Sequence, residues 1–171
     1  MHHHDPEFRF CPVCGGRLAT RQLKENEPQR LVCNDCEFVF YQDPKVVACA
    51  IVEMDWGVVL VRRSIEPQKG KWVMPGGYVD RGEQVPAAAV RETMEECGLS
   101  VSLTKLLGVY SYPGKIQVVI VYLARPVGGK LFSGEETSEA KVFATDQIPW
   151  KDLAFQSTFD ALKDYCAMKE R

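Results

Sequence analysis

The sequence predicts an α+β fold in which a mixed sheet is flanked by helices and preceded by a small cysteine-rich domain. Apolar, strand-like runs alternate with turn residues through the middle of the chain, and two longer segments have helical character. Four of the seven cysteines stand in two close pairs near the N-terminus. With 171 residues and 46% hydrophobic content, the chain can bury one sizeable core and a small appendage.

The first segment, residues 1–7, has the composition of an expression tag followed by a cloning scar, so we set it aside from the fold. It contains the three histidines of the chain, His2, His3 and His4. We therefore expect no catalytic triad and no hydrolytic zinc centre that depends on histidine.

The second segment, residues 8–42, contains a pair of cysteines, eighteen intervening residues and a second pair. The four residues are Cys11, Cys14, Cys33 and Cys36. This spacing is typical of a zinc ribbon, in which two tight turns deliver four thiolates to a tetrahedral ion. Because four cysteines leave no place for water, the zinc would be structural. Two disulfides or four free thiols are the alternatives, and the absence of a secretory signal or transmembrane run disfavours disulfides.

The third segment, residues 43–171, begins at Asp43-Pro44, because a residue before proline is pushed out of helical conformation. Apolar runs bounded by turn residues predict five strands, at 46–53, 58–63, 104–112, 116–124 and 141–145. Helices are predicted at 85–97 and 155–168. This alternation is typical of a mixed sheet flanked by helices.

The helix at 85–97 has Pro86 in its first turn and Gly98 at its C-terminal end. At about 100° per residue, its periodicity predicts an apolar stripe that packs on the core. The stripe consists of Ala87, Val90, Met94 and Cys97. Three carboxylates, Glu92, Glu95 and Glu96, are predicted on the opposite face.

Carboxylates at spacings i, i+3 and i+4 repel one another, so something should offset their charge. A magnesium ion would do so, because it favours oxygen ligands and often bridges carboxylates to substrate phosphates. Arg91, four residues before Glu95, can hold one acid in an ion pair. The alternative is a solvated acidic helix face, which is the usual role of a charge run.

The stretch at 77–99 reads GYVDRGEQVPAAAVRETMEECGL. The spacing of its glycines, acids and arginine resembles the Nudix box, the catalytic motif of the Nudix hydrolases. Every fixed polar and glycine position is filled, whereas Thr93 stands where the family prefers an aliphatic residue. The resemblance implies the Nudix fold, an α/β/α sandwich with a mixed sheet.

The resemblance also implies residue roles. Family members use the helix glutamates to bind magnesium or manganese, and they hydrolyse a nucleoside diphosphate linked to another moiety. The matching metal ligands are Glu92, Glu95, Glu96 and the backbone carbonyl of Gly76. Glu83 and Arg91 match the catalytic-site residues that orient this cluster. The metal would neutralise charge on the pyrophosphate and lower the pKa of a bound water that attacks phosphorus.

In several family members the general base is a glutamate on a loop after the box. In the segment FSGEETSEAKVF, Glu136 and Glu139 are the candidates. The alternative is that these acids are exposed loop residues that keep the protein soluble.

Three residues outside the box are candidates for substrate binding. Arg62 and Arg63 end a predicted strand that is aimed toward the box, where a guanidinium could clamp a phosphate, although a solvated strand end is the alternative. Trp72 precedes the box and could stack on a base or pack in the core.

A resemblance along nearly the whole chain also implies a substrate class. The segments CPVCGG, CNDC, YQDPKVV, WVMPGGYVDRGE and DQIPWKDLAFQST resemble zinc-ribbon Nudix proteins that act on ADP-ribose or FAD and release AMP. NADH pyrophosphatases carry Ser-Gln-Pro-Trp-Pro-Phe-Pro after the box, and nothing like it follows Leu99. Three alternatives remain. The chain could be a nucleotide-sensing regulator whose ribbon contacts nucleic acid, an interaction module that recruits a protein partner, or an NADH pyrophosphatase.

Charge and the absence of targeting segments indicate which partners and which cellular location to expect. The net charge of −2 argues against a general nucleic-acid binder, although it does not exclude local basic patches. The absence of a targeting or transmembrane segment predicts a cytoplasmic enzyme that does not engage membranes. The family resemblance favours a homodimer.

Overall fold

A computed structural model describes residues 8–170, which fall into two compact units that divide between Asp43 and Pro44. The predicted tag at residues 1–7 lies outside the described residues. No helix in the described part of the chain is long and apolar enough to cross a membrane.

The N-terminal unit contains a three-stranded antiparallel sheet in the order β1-β2-β3. Its strands are β1 (Leu18–Arg21), β2 (Arg30–Cys33) and β3 (Val39–Phe40). Turns at 12–14 and 34–36 hold the two cysteine pairs beside this sheet.

The C-terminal unit is built on a seven-stranded mixed sheet. Its strands are β4 (Lys45–Met54), β5 (Gly57–Arg63), β6 (Trp72–Val73), β7 (Gly76–Tyr78), β8 (Leu99–Ser111), β9 (Gln117–Gly129) and β10 (Thr137–Phe143). The main order is β10-β5-β4-β9-β8, with β6 paired to β5 and β7 paired to β4. The β4–β9 pair is parallel, whereas the other pairs are antiparallel, which confirms the predicted mixed sheet.

Two helices, α1 (Val85–Cys97) and α2 (Gln156–Lys169), cover opposite faces of the sheet. Along β4, Ile51 belongs to the core cluster that includes Leu162 of α2, whereas Ala50 belongs to the cluster that includes Cys97 of α1. Because both faces are covered, β4 is a nearly continuous buried run rather than an alternating one. The arrangement confirms the α/β/α sandwich.

The predicted helix at 85–97 is confirmed, and the closing helix begins one residue later than predicted. The strand predictions were too short around the β8–β9 hairpin. β8 begins at Leu99 and β9 continues to Gly129, because register shifts let the hairpin extend past the bulges at its open end. β10 begins at Thr137, so part of the segment predicted as a loop is strand.

The predicted apolar stripe of α1 was partly wrong. Ala87 and Met94 are exposed, whereas the helix buries four small side chains and one glutamate. The buried residues are Ala88, Ala89, Thr93, Glu96 and Cys97. Thr93 tolerates full burial because its hydroxyl donates a hydrogen bond to the Ala89 carbonyl at 2.7 Å. Small residues at this face let α1 approach the sheet closely.

Candidate active site

Arg91 is the centre of the acidic cluster. Its Nε and Nη2 donate hydrogen bonds of 2.9 Å to the two carboxylate oxygens of Glu83. Its Nη1 donates to Glu92 at 2.7 Å and to Glu95 at 3.2 Å. Its Nη2 also donates to the Tyr78 carbonyl at 3.1 Å, which ties the cluster to β7. One guanidinium therefore orients three acids.

Glu83 lies in the turn before α1. Its carboxylate accepts a hydrogen bond from the Asp80 backbone at 3.0 Å, and its own N–H donates to the Asp80 carbonyl at 2.9 Å. The hydrogen bonds from Arg91 lower the pKa of Glu83 to about 2, so its carboxylate stays ionised at neutral pH. Glu83 thus holds the guanidinium in place.

The three helix carboxylates differ in environment. Glu95 is exposed over 56% of its side chain, whereas Glu96 is only 9% exposed. Burial raises the pKa of Glu96 to about 7, against a hydrogen bond from the Gly76 backbone at 2.9 Å and the charge of Arg63. Burial also raises the pKa of Glu92, while Arg91 opposes that rise. The carboxylates predicted on the face opposite the apolar stripe therefore form a partly buried cluster rather than a fully solvated face.

Glycines in β7 allow this cluster to form. A Cβ on Gly77 would clash with the Glu92 carboxylate, and a Cβ on Gly76 would clash with the backbone and thiol of neighbouring β4 residues. Gly76 adopts a φ of 153°, a backbone conformation that residues with a side chain rarely adopt. The pair lets β7 run directly beside the acids of α1.

The donor set fits a hard divalent cation. Within the described residues, the Arg91 guanidinium reaches Glu83, Glu92 and Glu95, whereas the Glu96 carboxylate accepts a hydrogen bond from the Gly76 backbone N–H. Burial disfavours the ionised forms of Glu92 and Glu96, which lie in the same cluster. A nearby positive charge would stabilise both carboxylates. Carboxylate and carbonyl oxygens are the ligands that magnesium and manganese prefer.

The two candidate bases lie in different surroundings. Glu136 occupies the turn before β10, and its carboxylate is close enough to add to the raised pKa of Glu92 and Glu96. Glu139 was expected on a loop, but it lies within β10 opposite Arg62, with 3.8 Å between its Oε2 and Arg62 Nη1. The structure therefore brings Glu136 to the acidic cluster.

The two arginines at the end of β5 hold the following loop. Arg62 Nε donates to the Gly70 carbonyl and Arg63 Nε to the Pro67 carbonyl, both at 2.8 Å. The Arg63 guanidinium lies 5.2 Å from the centre of the Phe155 ring, and its charge lowers the pKa of Glu96. Of the two, Arg63 is the one whose charge acts on Glu96 of the acidic cluster.

Trp72 is packed mainly as a core residue. Its ring meets that of Phe143 edge to face at 4.8 Å, and it contacts the cluster on the α2 side of the sheet. The Arg62 guanidinium lies 6.0 Å from the Trp72 ring centre. A role for Trp72 in substrate binding stays a prediction.

The four cysteines of the N-terminal unit form a second site. Their Sγ atoms all lie within 4.8 Å of one another, and Cys14 Sγ is 3.3 Å from Cys36 Sγ and 3.4 Å from Cys33 Sγ. These distances exceed a disulfide bond of about 2.05 Å, and all seven cysteines are unpaired. Backbone N–H groups of Cys36 and Asp35 lower the pKa of the Cys33 thiol to about 7. The cluster fits a four-coordinate structural metal site.

The chain belongs to the Nudix hydrolase family. Residues 43–163 match the family model described as the NUDIX domain, and residues 9–42 match the model described as the Nudix N-terminal domain, a zinc ribbon. Members act on nucleotide-type substrates with the help of divalent metals. The chain is therefore an enzyme of the pyrophosphohydrolase type, with a zinc-ribbon domain ahead of its catalytic domain.

Two relatives and one solved structure show what this chain resembles. An ADP-ribose pyrophosphatase from Methanocaldococcus jannaschii is 36% identical over 159 residues, covering 91% of this chain and 88% of that protein. The NAD-capped RNA hydrolase NudC from Vibrio atlanticus is 28% identical over 149 residues, and the chain spans about half of its length, 53%. A Nudix hydrolase structure from Nitrosomonas europaea is 36% identical, with a TM-score of 0.88 over 96% of this chain and 92% of that one.

Sequence reasoning did not find the contacts of the segment between β9 and β10. There, Gly134 and Thr137 bind the Glu96 carbonyl, and Ser64 binds the Glu136 carbonyl. A signal that could have found this segment is a glycine followed by two acids and a threonine just before a strand.

Proposed function

We propose that this protein hydrolyses the pyrophosphate of ADP-ribose to AMP and ribose 5-phosphate with the help of magnesium or manganese. The observation that carries the proposal is the partly buried cluster of helix acids organised by Arg91, with Glu136 beside it. The similarity to the Methanocaldococcus jannaschii protein, which extends over nearly all of both chains, supports ADP-ribose as the substrate.

The residues divide into three roles. Glu92, Glu95 and Glu96, with the Gly76 carbonyl, would hold the cation, which supplies positive charge to the pyrophosphate and lowers the pKa of the attacking water. Glu83 and Arg91 orient these acids through their paired hydrogen bonds. Arg63, whose charge acts on Glu96, contributes a guanidinium to the substrate phosphates.

Glu136 acts as the general base. It accepts a proton from water as the water oxygen bonds to one phosphorus, and the bond from that phosphorus to the bridging oxygen breaks, so the bridging oxygen leaves with the second phosphate. The leaving phosphate departs as a phosphate monoester, so both products carry one phosphate. No covalent intermediate with the protein is needed.

The ribbon holds one zinc ion through Cys11, Cys14, Cys33 and Cys36 in this proposal. Thiolates favour zinc, whereas the carboxylate cluster of the catalytic domain favours magnesium or manganese. The two metals therefore occupy separate sites and serve separate purposes. The zinc stabilises the ribbon, and the second metal serves the reaction.

FAD is the second candidate substrate, because its AMP half is joined to FMN through the same kind of pyrophosphate. NAD-type substrates rank lower, because the residues after Leu99 lack the Ser-Gln-Pro-Trp-Pro-Phe-Pro motif of NADH pyrophosphatases. A nucleotide sensor ranks lower still, since a sensor need not retain the acids that this chain retains. A homodimer belongs to the proposal on family resemblance alone, and the cytoplasmic location stays a prediction.

A substrate panel tests the proposal. We expect ADP-ribose to give the highest kcat/KM with magnesium, followed by FAD, with NADH at least about tenfold lower, a difference of about 1.4 kcal/mol in transition-state stabilisation. Product masses identify AMP with ribose 5-phosphate or FMN, and a reaction without divalent cation is the control. NADH as the best substrate would contradict the ranking, and no cleavage of any of the three would contradict the function.

A further inference from the structure

The carbonyl groups at the end of α1 are capped by one later segment of the chain. A helix leaves its last four carbonyls without partners inside the helix. Here Phe132 N–H donates to the Cys97 carbonyl at 3.1 Å, and Gly134 N–H donates to the Glu96 carbonyl at 3.1 Å. Thr137 Oγ1 donates to the same Glu96 carbonyl at 2.9 Å. We call residues 132–137 the strap.

The strap lies tightly against the helix. A Cβ on Gly134 would clash with the Glu95 carbonyl, and a Cβ on Gly98 would clash with the Phe132 ring. Thr137 is only 6% exposed, so its hydroxyl is protected from competing water. The hydrogen bond between Thr137 and Glu96 is therefore buried and well defined.

The other side of the strap is tied to the end of β5. Ser64 N–H donates to the Glu136 carbonyl at 2.9 Å, and Ser64 Oγ donates to the Glu135 carbonyl at 3.3 Å. The pairing of β10 with β5 is also irregular between Thr137 and Glu139. Such bulges change the direction in which neighbouring side chains point.

Resting on the proposed function, we infer that Thr137 is a positioning residue that fixes Glu136 against the acid-bearing end of α1. Its hydroxyl binds the backbone of Glu96, and the residue immediately before it is Glu136. The strap thus joins the proposed base and the proposed metal ligands into one rigid unit. A shift of the strap away from α1 would move Glu136 while leaving the helix acids in place.

Three single variants test the role of the Thr137 hydroxyl. Thr137→Val removes the hydroxyl at nearly constant volume, and Thr137→Ser retains it. Ser138→Ala is the matched control, because it removes a hydroxyl from the next residue, where Ser138 Oγ donates to the Arg62 carbonyl at 3.3 Å rather than to α1. We expect Thr137→Val to lower kcat for ADP-ribose about tenfold or more with little change in KM. Thr137→Ser and Ser138→Ala should stay near the wild-type value.

A double-mutant cycle with Glu136→Gln separates positioning from general destabilisation. If Thr137 acts through Glu136, then Thr137→Val should cost little further activity once Glu136 has been replaced. An equal loss in both backgrounds would overturn the inference, and so would a wild-type kcat for Thr137→Val or a Thr137→Ser variant as impaired as Thr137→Val.

Thermal unfolding of each variant shows whether the fold is retained. If Thr137→Val does not fold, Thr137→Ala takes its place in the cycle with the same expected and contrary outcomes. Hydrolysis of ADP-ribose by the wild-type protein tests the proposed function separately. An active wild-type enzyme with no coupling between Thr137 and Glu136 would overturn the inference alone.

Discussion

Arg91 and Glu83 are joined by two parallel hydrogen bonds of 2.9 Å, although they lie on either side of the first turns of α1. The same guanidinium extends to Glu92 and Glu95 on the helix. A planar group with a fixed fork of donors suits this arrangement, whereas an ammonium group cannot make the same set of contacts.

Arg91→Lys should therefore disorder the acidic cluster while keeping its charge. We expect kcat/KM for ADP-ribose to fall by about 10-fold to 100-fold, the range for residues that orient metal ligands. Arg81→Lys is the matched control, because Arg81 is an exposed arginine in the turn that precedes Glu83. If Arg91→Lys keeps wild-type kinetics under the same metal concentrations, the orienting role of Arg91 is wrong.

Glu95→Gln and Glu96→Gln each replace a charged oxygen ligand by a neutral amide of nearly the same shape. We expect each to lower kcat about 100-fold or more, because charge stabilisation at the reacting phosphates is lost. Steady-state kinetics with magnesium and with manganese measure the effect. Glu135→Gln, an exposed acid of the strap, is the control. Near-normal turnover in both helix variants, with unchanged melting, would remove these residues from the mechanism.

Glu136→Gln and Glu139→Gln distinguish the two candidate bases. Loss of a general base costs about 100-fold or more in kcat, so we expect that loss for Glu136→Gln. Glu139 makes an exposed ion pair with Arg62, whose loss should change activity no more than a few-fold. Comparison of kcat for the two variants decides between them. The reverse order of effects would transfer the base role to Glu139.

The sequence predicted the position of α1 and its acids well, because capping residues and the i, i+3, i+4 spacing are local properties. It predicted only part of the buried face of α1, because Cys97 is buried as predicted whereas Ala87 and Met94 are exposed. It also did not predict how closely Glu92 approaches β7, which depends on Gly77, where a Cβ would clash with the Glu92 carboxylate. Local periodicity contains no information about such an approach.

The two candidate bases are a second feature that the sequence did not distinguish. Glu136 and Glu139 are three residues apart, and the point at which β10 begins separates a turn residue from a strand residue. The contact that holds the strap, from Thr137 to Glu96, spans 41 positions in the sequence. Neither feature follows from hydrophobic pattern or turn propensity, because both depend on how β10 pairs with β5.

For the ribbon, we expect one tightly bound zinc per chain and loss of that zinc in Cys14→Ser or Cys36→Ser. Small metal-binding domains of this kind depend on the ion for their folding. Elemental analysis of protein without the histidine tag measures the zinc content. Cys166→Ser, which replaces a cysteine of α2, should keep the full amount. Zinc-free wild-type protein with two disulfides in the ribbon would contradict this prediction.

Hydrolysis of ADP-ribose in water enriched in heavy oxygen tests the central claim most directly. If the acidic cluster serves attack of water on phosphorus, the reaction with magnesium yields AMP and ribose 5-phosphate, and one of these phosphates contains the heavy oxygen. The ribose hydroxyls should contain none. Heavy oxygen in a ribose hydroxyl would contradict attack at phosphorus, and absence of cleavage with either magnesium or manganese would contradict the enzyme's proposed reaction.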